Sequence, residues 1–436
     1  MKLLTIEQHK KRLENLREAE ESVISCMKQH RIRDYVQGHV MYRIGEYPYP
    51  FKIEPTEYDY HVLHECATRG AGIIQLHEEW NDALRIMGAD KYTSHDPEGL
   101  SHFLNLCHSM QLKVMAYASM GYMQITDPDY RESYNLAGWP VLRQLHYSYG
   151  RNDPSNPEWV NYIMPKMEKM LELYDFDGLY NDMECGDFSG VEEMFSEVYS
   201  MLKARKRLYK VHVGGKVGLP LKEKLYDYIA TGEAVVDVKS GARMRNLTPY
   251  VTPIVDYRHQ PDDDPDFVFA QFIPFMQFPM LFYGRPVKGL MVEAPGVAYT
   301  QESRYWLNKR VGQYYNFHKD GPYVYSEWSS IPSNPLMKDK WFEYLALYKP
   351  MTEEDTVCRL NIGENALLKS EIPEDVYVSL FTNERQYLVI SNLSDKPYEA
   401  VLSRPWFNRV ARVLSDRFVV PPHRIIFLKK EREGVL

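Results

Sequence analysis

The chain has 436 residues, 44% of them hydrophobic and 26% charged, a globular composition that excludes a disordered or collagen-like protein. Its formal net charge of −8 argues against nucleic acid as a partner of the whole surface. The length suits roughly three units of about 150 residues, and it equally suits a (β/α)8 barrel of about 250 residues with a smaller second domain.

The sequence also predicts the cellular location of the protein. Apolar runs stay below the roughly 18–20 residues of a membrane span, and the first residues lack the apolar core of a signal peptide. The 5 cysteines form an odd, scattered set without a C-x-x-C pair, which is typical of reduced thiols, some of them buried as small hydrophobes. We therefore expect a cytoplasmic protein without a membrane partner.

The N-terminal segment predicts a surface helix. Residues 5–31 are highly charged and carry a thin apolar stripe that includes Leu13, Leu16, Val23 and Met27. We expect residues 1–33 to form this amphipathic helix, which either caps the next domain or mediates homo-oligomerisation.

From about residue 34, short apolar runs alternate with helical segments. Continuous apolar strands bounded by helices are typical of a buried parallel sheet. The pattern predicts an α/β fold with a (β/α)8 TIM barrel over residues 34–320. A doubly wound open sheet is the alternative, but no G-x-G-x-x-G follows the first strand. The eight predicted strands are Tyr35–Tyr42, Gly72–His77, Lys113–Ser119, Asp177–Asp182, Tyr209–Gly214, Ile229–Val235, Val251–Asp256 and Pro279–Tyr283.

The intervening segments carry signals for helix starts. Asp96 and Asp264 are each followed by a proline. This order is typical of an N-cap residue followed by proline at the first helical position. Ser189–Glu192 has the spacing of a capping box. Pro165 falls inside the helix predicted for residues 157–174, which must kink there or begin later. The last barrel helix is predicted at Gln301–His318.

The C-terminal part has a different pattern. Residues 321–350 are predicted to be a connecting segment. Residues 351–436 contain short strands separated by turn residues, which predicts an antiparallel β-sandwich. These strands are predicted at Val357–Ile362, Ala366–Ile372, Val376–Thr382, Tyr387–Asn392, Tyr398–Leu402, Val410–Leu414 and Arg424–Leu428.

A barrel carries its reactive groups at the carboxyl ends of its strands, and carboxylates are the most plentiful reactive groups there. Two carboxylates facing each other across an aromatic pocket can cleave a glycosidic bond. Asp182, at the end of the fourth strand, is the candidate nucleophile. Glu233, at the end of the sixth, is the candidate acid/base, with Asp237 and Asp256 as rivals.

The fourth strand also carries a family resemblance. Its segment Asp177–Glu184 (DGLYNDME) resembles the D-G-x-W-x-D-M-N-E motif of the retaining α-galactosidase/α-glucosidase clan, although Tyr180 replaces the tryptophan and one Asn is missing. The resemblance implies that Asp182 is the nucleophile, that an acid/base carboxylate follows the sixth strand and that a β-sandwich follows the barrel. In that clan the acid/base is usually Asp, where this chain has Glu233. Segment Gly72–Asp82 is similar, more weakly, to α-L-fucosidases.

Other strand-end residues suit a carbohydrate substrate. Aromatic rings can stack on a sugar, and polar side chains can hydrogen-bond its hydroxyl groups. We expect no cofactor and no bound metal. The candidate substrate-binding residues are His39, His77, Glu79, Trp80, Tyr117, Tyr180, Asn181, His212, Asp256, Arg258, His259 and Tyr283.

Two other classes of function stay open. His77, Glu79, Asp182 and Asp256 are also the residue types of a metal-assisted hydrolase or isomerase, although their spacing matches no metal signature. A barrel that binds carbohydrate without cleaving it is the other alternative. The sequence leaves open the identity of the sugar, its anomeric configuration and a retaining or inverting outcome.

Overall fold

A computed structural model describes most of the chain, and elements are numbered in chain order. The described ranges are residues 3–33, 35–44, 52–77, 80–81, 92–125, 127–139, 141–144, 147–182, 189–213, 225–231, 252–255, 264–285, 315–317, 324–326 and 335–430.

The N-terminal segment is a helix followed by a strand. Helix α1 spans Ile6–Ser22 and begins with a capping box, in which the Thr5 side chain accepts a hydrogen bond from the Gln8 amide. Strand β1, Cys26–Arg31, then pairs antiparallel with a strand near residue 360. The prediction of one helix through residue 31 is therefore wrong at its C-terminal end.

The central element is a curled parallel sheet in the order β12-β11-β10-β9-β8-β4-β3-β2-β13. Over the described ranges each of the eight predicted strands is confirmed to within a few residues, although Met280 divides the eighth into β12 and β13. Continuous apolar runs suit a parallel sheet, which is covered on both faces. The bounds are β2 His39–Arg43, β3 Ile73–Leu76, β4 Lys113–Ala118, β8 Gly178–Asn181, β9 Leu208–Val213, β10 Tyr228–Thr231, β11 Thr252–Val255, β12 Phe278–Pro279 and β13 Leu281–Gly284.

Helices pack around this sheet, and most start where predicted. The Asp96 side chain caps its helix by accepting from the Gly99 amide, and Asp264 caps another. Pro165 lies inside one continuous helix. The helices are α2 Glu57–Thr68, α3 Pro97–Ser109, α4 Pro157–Leu173, α5 Val191–Ala204, α6 Pro265–Phe272 and α7 Pro335–Tyr348.

The capping box predicted at Ser189 is wrong. The N-cap is Gly190, which has a φ of 82° and provides no side-chain cap. A Cβ at this position would lie 2.5 Å from the Ser155 Cα, so close packing against the preceding loop requires glycine here.

Two short antiparallel elements are additions to the predicted pattern. Strands β5 Tyr122–Gln124, β6 Leu142–Gln144 and β7 Tyr147–Arg151 form a small sheet between β4 and α4. Strands β14 Tyr315–Phe317 and β15 Val324–Ser326 form a hairpin. The helix predicted at Gln301–His318 is therefore wrong at its end, and residues 301–314 lie outside the described ranges.

The C-terminal strands form one antiparallel sheet of 7 strands, in the order β1-β16-β17-β18-β21-β19-β20. Two features of this sheet were not predicted: hydrogen bonds connect all its strands, and β1 comes from the N-terminal segment. Segment Ala366–Ile372 contributes only an isolated bridge at Leu368. The remaining bounds are β16 Val357–Ile362, β17 Val376–Thr382, β18 Gln386–Asn392, β19 Tyr398–Asn408, β20 Val413–Val420 and β21 Arg424–Lys429.

The parallel and antiparallel sheets share one apolar core, which includes Phe381, Val389 and Phe427 of the C-terminal sheet. The Ser379 hydroxyl donates to the Pro274 carbonyl at 2.6 Å across the contact. Helix α7 lies inside the predicted connecting segment, and its Trp341 indole donates to the Pro279 carbonyl at 2.8 Å. This part of the segment therefore belongs to the helical layer of the parallel sheet.

The described cysteines match the prediction of buried, reduced thiols. Cys66, Cys107 and Cys358 are buried and free, and Cys26 is partly buried. Burial raises the pKa of the Cys66 thiol to about 12, which makes it a poor nucleophile. Cys185 lies outside the described residues. None of the helices in the described ranges combines the length and apolar character of a membrane span.

Candidate active site

The candidate site lies at the carboxyl ends of neighbouring parallel strands. Asp182 directly follows β8, His77 directly follows β3, Tyr117 is near the end of β4, and His212 is near the end of β9. Strands β3, β4, β8 and β9 are consecutive in the sheet. The sheet thereby gathers four of the predicted site residues at the carboxyl ends of its strands, where parallel α/β sheets bind their ligands.

Both carboxylate oxygens of Asp182 accept hydrogen bonds. The Tyr117 hydroxyl donates to Oδ2 at 2.8 Å, and the Nδ1 atom of His212 is 2.7 Å from Oδ1. The backbone is fixed as well, since the Asp182 amide donates to the Ala118 carbonyl and the Ser119 hydroxyl donates to the Asp182 carbonyl. The Asp182 side chain keeps 23% exposure, so a ligand can reach its carboxylate.

The surroundings of Asp182 favour its ionised form. Burial acts to raise the carboxyl pKa, but the charge of His212, the hydrogen bonds from His212 and Tyr117 and the charge of His77 outweigh it. The pKa of Asp182 is consequently below its usual range. The carboxylate is therefore negatively charged at neutral pH, as a nucleophile or a stabiliser of a cationic transition state must be.

Aromatic rings pack against the side chains that bind this carboxylate. The His77 ring stacks on Tyr117, with centroids 5.3 Å apart and planes at 30°. The Tyr180 ring lies 5.8 Å from Tyr117 and 6.1 Å from His212, between the two side chains that bind Asp182. Tyr180 is 3% exposed, so it supports the site from below.

Four of the other predicted site residues point elsewhere. Asn181 is buried in the helical layer, where its amide donates to the Tyr209 hydroxyl, because neighbouring residues of a strand face opposite sides of the sheet. The fully buried Trp80 donates to the Tyr117 carbonyl at 2.9 Å and thus supports Tyr117 from outside the site. The Tyr283 hydroxyl lies 3.3 Å from Glu65 on α2.

His39 is also away from the site. It begins β2, at the opposite end of the sheet from Asp182, and its Nε2 lies 2.9 Å from the Val36 carbonyl. Burial and the nearby charge of Lys210 hold the pKa of His39 well below its usual range, so its ring is neutral. Five more predicted residues lie outside the described ranges: Glu79, Glu233, Asp256, Arg258 and His259.

The sequence reasoning missed Lys210 and Gln75. Both are fully buried, and the Lys210 amino group donates to Gln75 Oε1 at 2.8 Å. Strand alternation was the signal that could have found Lys210. It lies two residues before His212 on the same strand, so the two side chains share one face of the sheet.

The described residues bring no three His, Cys, Asp or Glu side chains together in a group suited to a metal ion. Among the predicted metal-site residues, His77 and Asp182 lie in the described ranges, whereas Glu79 and Asp256 do not.

Comparison with known proteins gives matches in structure. No family model and no curated protein matches the sequence. The structure of a maltogenic α-amylase from Thermotoga neapolitana has a TM-score of 0.55 at 11% identity, with 90% of this chain and 97% of that chain covered. An α-amylase from Geobacillus thermoleovorans, complexed with acarbose, has a TM-score of 0.56 at 9% identity, with coverage of 92% and 99%.

A second kind of glycoside hydrolase also matches. The β-L-arabinopyranosidase of glycoside hydrolase family 27 from Geobacillus stearothermophilus has a TM-score of 0.51 at 10% identity, with coverage of 90% and 96%. The chain therefore has the α/β fold of these glycoside hydrolases over nearly its whole length. The predicted resemblance to glycosidases of this architecture is confirmed at the level of the fold.

The His212 contact predicts a shift in pH dependence. Replacing His212 with Leu removes a charge and a hydrogen bond from Asp182, so the carboxyl pKa rises. We expect the acidic limb of the kcat/KM profile to move up by about one pH unit. His212→Asn, whose amide can still donate, is expected to shift it less. An unchanged acidic limb in His212→Leu, measured on an active glycoside substrate, would show that Asp182 does not control it.

Proposed function

We propose that this protein is a glycoside hydrolase that removes a terminal sugar from oligosaccharides or glycosides, with Asp182 as the nucleophile. The observation that carries the proposal is the state of Asp182. It is a solvent-reachable carboxylate kept ionised by two hydrogen-bond donors, at the carboxyl edge of a sheet whose fold is shared with amylases and an arabinopyranosidase. Such a carboxylate can attack or stabilise a developing oxocarbenium centre.

We also infer that the curled sheet closes into an eight-stranded barrel. Segments β12 and β13 end the sheet order on opposite sides, and Met280 alone separates them in the chain. Pro279 pairs with Val255 of β11, while Tyr283 pairs with Tyr42 of β2. One stretch of chain thus hydrogen-bonds to both ends of the sheet, which surrounds the site with strand ends.

Glu233 is the proposed general acid. It follows β10 by two residues, and β10 is separated from β8 in the sheet only by β9. Strands lie about 4.8 Å apart, so the two strand ends are roughly 10 Å apart. Side chains that lean inwards from these two strands can approach the 5–10 Å range of carboxyl separations used by glycosidases.

The substrate contacts belong to the same proposal. His77, Tyr117 and His212 line the reachable carboxylate, and we propose that they position the sugar ring beside it. Glu79, Asp256, Arg258 and His259 follow strands of the same sheet and are proposed to bind the sugar hydroxyl groups.

A panel of aryl α- and β-glycosides tests this function. We expect the wild-type protein to hydrolyse at least one sugar class and to keep that activity in the presence of a chelator. No turnover across the panel and across natural disaccharides would contradict the proposal. Activity that a chelator abolishes and a divalent ion restores would favour the metal-assisted alternative.

The leaving group separates the role of Glu233 from that of Asp182. Glu233→Gln is expected to lose roughly 10²- to 10⁴-fold in kcat on substrates whose leaving group needs a proton. It should retain far more activity on dinitrophenyl glycosides, because that leaving group departs without protonation. Equal losses on both substrate types would argue against Glu233 as the acid, and the same comparison then applies to Asp237 and Asp256.

A further inference from the structure

Lys210 is a buried lysine in the middle of the parallel sheet. Its side chain is 0% exposed, and its amino group donates to Gln75 Oε1 at 2.8 Å and to Met280 Sδ at 2.9 Å. Taking an ammonium group out of water is costly, and an apolar side chain of similar length would fill the same space without that cost. The amino group at this position therefore calls for a reason other than packing.

The Lys210 amino group lies over the ring of Tyr180, which packs against the partners of Asp182. Its Nζ atom lies 5.1 Å from the centroid of the Tyr180 ring, within the range of a cation–π interaction. Lys210, Tyr180 and Tyr117 are register partners on the neighbouring strands β9, β8 and β4. They form one layer on the inner face of the sheet, directly beneath Asp182.

Tyr180 connects this charge to Asp182. Its ring contacts Tyr117 and His212, with centroids 5.8 and 6.1 Å away, and these two side chains contact the two carboxylate oxygens of Asp182. A shift of Tyr180 would move both partners of the carboxylate.

We propose that Lys210 is a positioning residue of this site, whose buried ammonium group holds the Tyr180 ring and, through it, the Tyr117 and His212 contacts to Asp182. The inference rests on the proposed function. Three described groups act directly on the Asp182 carboxylate, namely His77, Tyr117 and His212, and Lys210 acts on it through Tyr180. The charge of Lys210 also acts on His39, whose ring is neutral.

Lys210→Met tests the proposal, because methionine keeps much of the length and removes the charge. We expect kcat to fall by about 10²-fold, as for a small misplacement of reacting groups, with KM little changed. We also expect the acidic limb of the pH profile to move upward, because weaker Tyr117 and His212 contacts raise the pKa of the Asp182 carboxyl. Met280→Leu is the matched control: it removes one contact of the amino group without removing charge, and its acidic limb should stay in place.

A second substitution covers the case in which Lys210→Met does not fold. Tyr180→Leu removes the aromatic face and should produce the same fall in kcat and the same shift. If both variants fold, the double variant should lose little more than either single variant, because both act through one contact. The proposal is overturned if folded Lys210→Met keeps full activity and an unchanged acidic limb. Where Lys210→Met does not fold, the same result in Tyr180→Leu overturns it. Additive losses in the double variant overturn it as well.

The activity of the wild-type protein shows whether a negative result concerns Lys210 or the proposed function. Wild-type glycosidase activity that Lys210→Met leaves intact would contradict the role of Lys210 alone. If the wild-type protein cleaves no glycoside, the Asp182 carboxyl is followed instead by 13C NMR, assigned by comparison with Asp182→Asn. A titration that moves to higher pH in Lys210→Met would then support the positioning role, and an unchanged titration would overturn it.

Discussion

Replacing Asp182 with Asn is expected to abolish glycoside turnover while the fold survives. The amide has nearly the shape of the carboxylate but carries no charge and cannot attack an anomeric carbon. Loss of a nucleophile or of a charged transition-state stabiliser costs at least about 10³-fold in kcat. The measurement is the initial rate on the best aryl glycoside of the panel.

The fold of this variant should be close to that of the wild type. Asp182 is partly exposed, and its neighbours Tyr117 and His212 can still hydrogen-bond to an amide. We expect the thermal midpoint to change by a few degrees at most, and ligand binding to persist. Normal hydrolysis by Asp182→Asn would remove Asp182 from the mechanism. A collapsed fold would instead show that the residue is structural.

The second large effect concerns stability and lies at Arg285. Replacing Arg285 with Ala is expected to lower the free energy of unfolding by about 3–5 kcal/mol, the cost of leaving a buried charge without its partner. The guanidinium binds both oxygens of Asp59, with Nε 2.9 Å from Oδ1 and Nη2 2.8 Å from Oδ2. The Asp59 side chain is fully buried on α2, so no solvent can replace the lost cation.

Arg285 also ties the chain after β13 to the segment after β2. Its guanidinium donates to four backbone carbonyls in addition to Asp59, and these hydrogen bonds join sequence segments more than 200 residues apart. The four acceptors are the carbonyls of Ile44, Lys52, Ile53 and Glu54.

The ionisation of Asp59 makes the stability that the Arg285–Asp59 pair contributes depend on pH. Burial acts to raise its pKa, but the hydrogen bonds and charge of Arg285 outweigh it, so the pKa in the folded state is below its usual range. The contribution is therefore present above the unfolded-state pKa of about 3.9 and is lost as pH falls through the folded-state value. The difference in unfolding free energy between wild type and Arg285→Ala should shrink over that acidic interval.

Urea unfolding at neutral pH gives the measurement. Arg417→Ala is the matched control, because its pair with Glu399 is 66% and 62% exposed and should contribute about 1 kcal/mol or less. Arg285→Lys keeps the charge and loses the forked contacts, so it should fall between wild type and Arg285→Ala. An Arg285→Ala variant as stable as Arg417→Ala would show that Asp59 is accommodated without its partner.

Local patterns predicted the parallel sheet well. Strands such as Lys113–Ala118 are apolar runs between polar turns, and burial on both faces allows few other structures. Asp182 could also be placed, because it comes directly after such a run. The capping box at Ser189 failed, since the chain before α5 packs closely enough against residue 155 to require glycine.

The pairing of the strands depends on residues that are distant in the sequence. Strand β1 reads as the end of a charged helix, yet it pairs with β16 more than 300 residues later, as Cys26 opposite Ile362 shows. The strand propensity of CMKQHR is weak by itself, and the edge of the C-terminal sheet supplies the hydrogen bonds that stabilise it.

The sequence by itself determined the order of strands and helices and the carboxylate that ends the fourth strand, because these depend on residues close together in the chain. The tertiary structure alone decided which side chains meet Asp182. Asn181 and Tyr283 face the helices, while Lys210 and Tyr180 form the layer beneath the carboxylate. The physical reason is that a strand sends alternate side chains to opposite faces, and only the arrangement of the strands in the curled sheet decides which side chains of neighbouring strands meet.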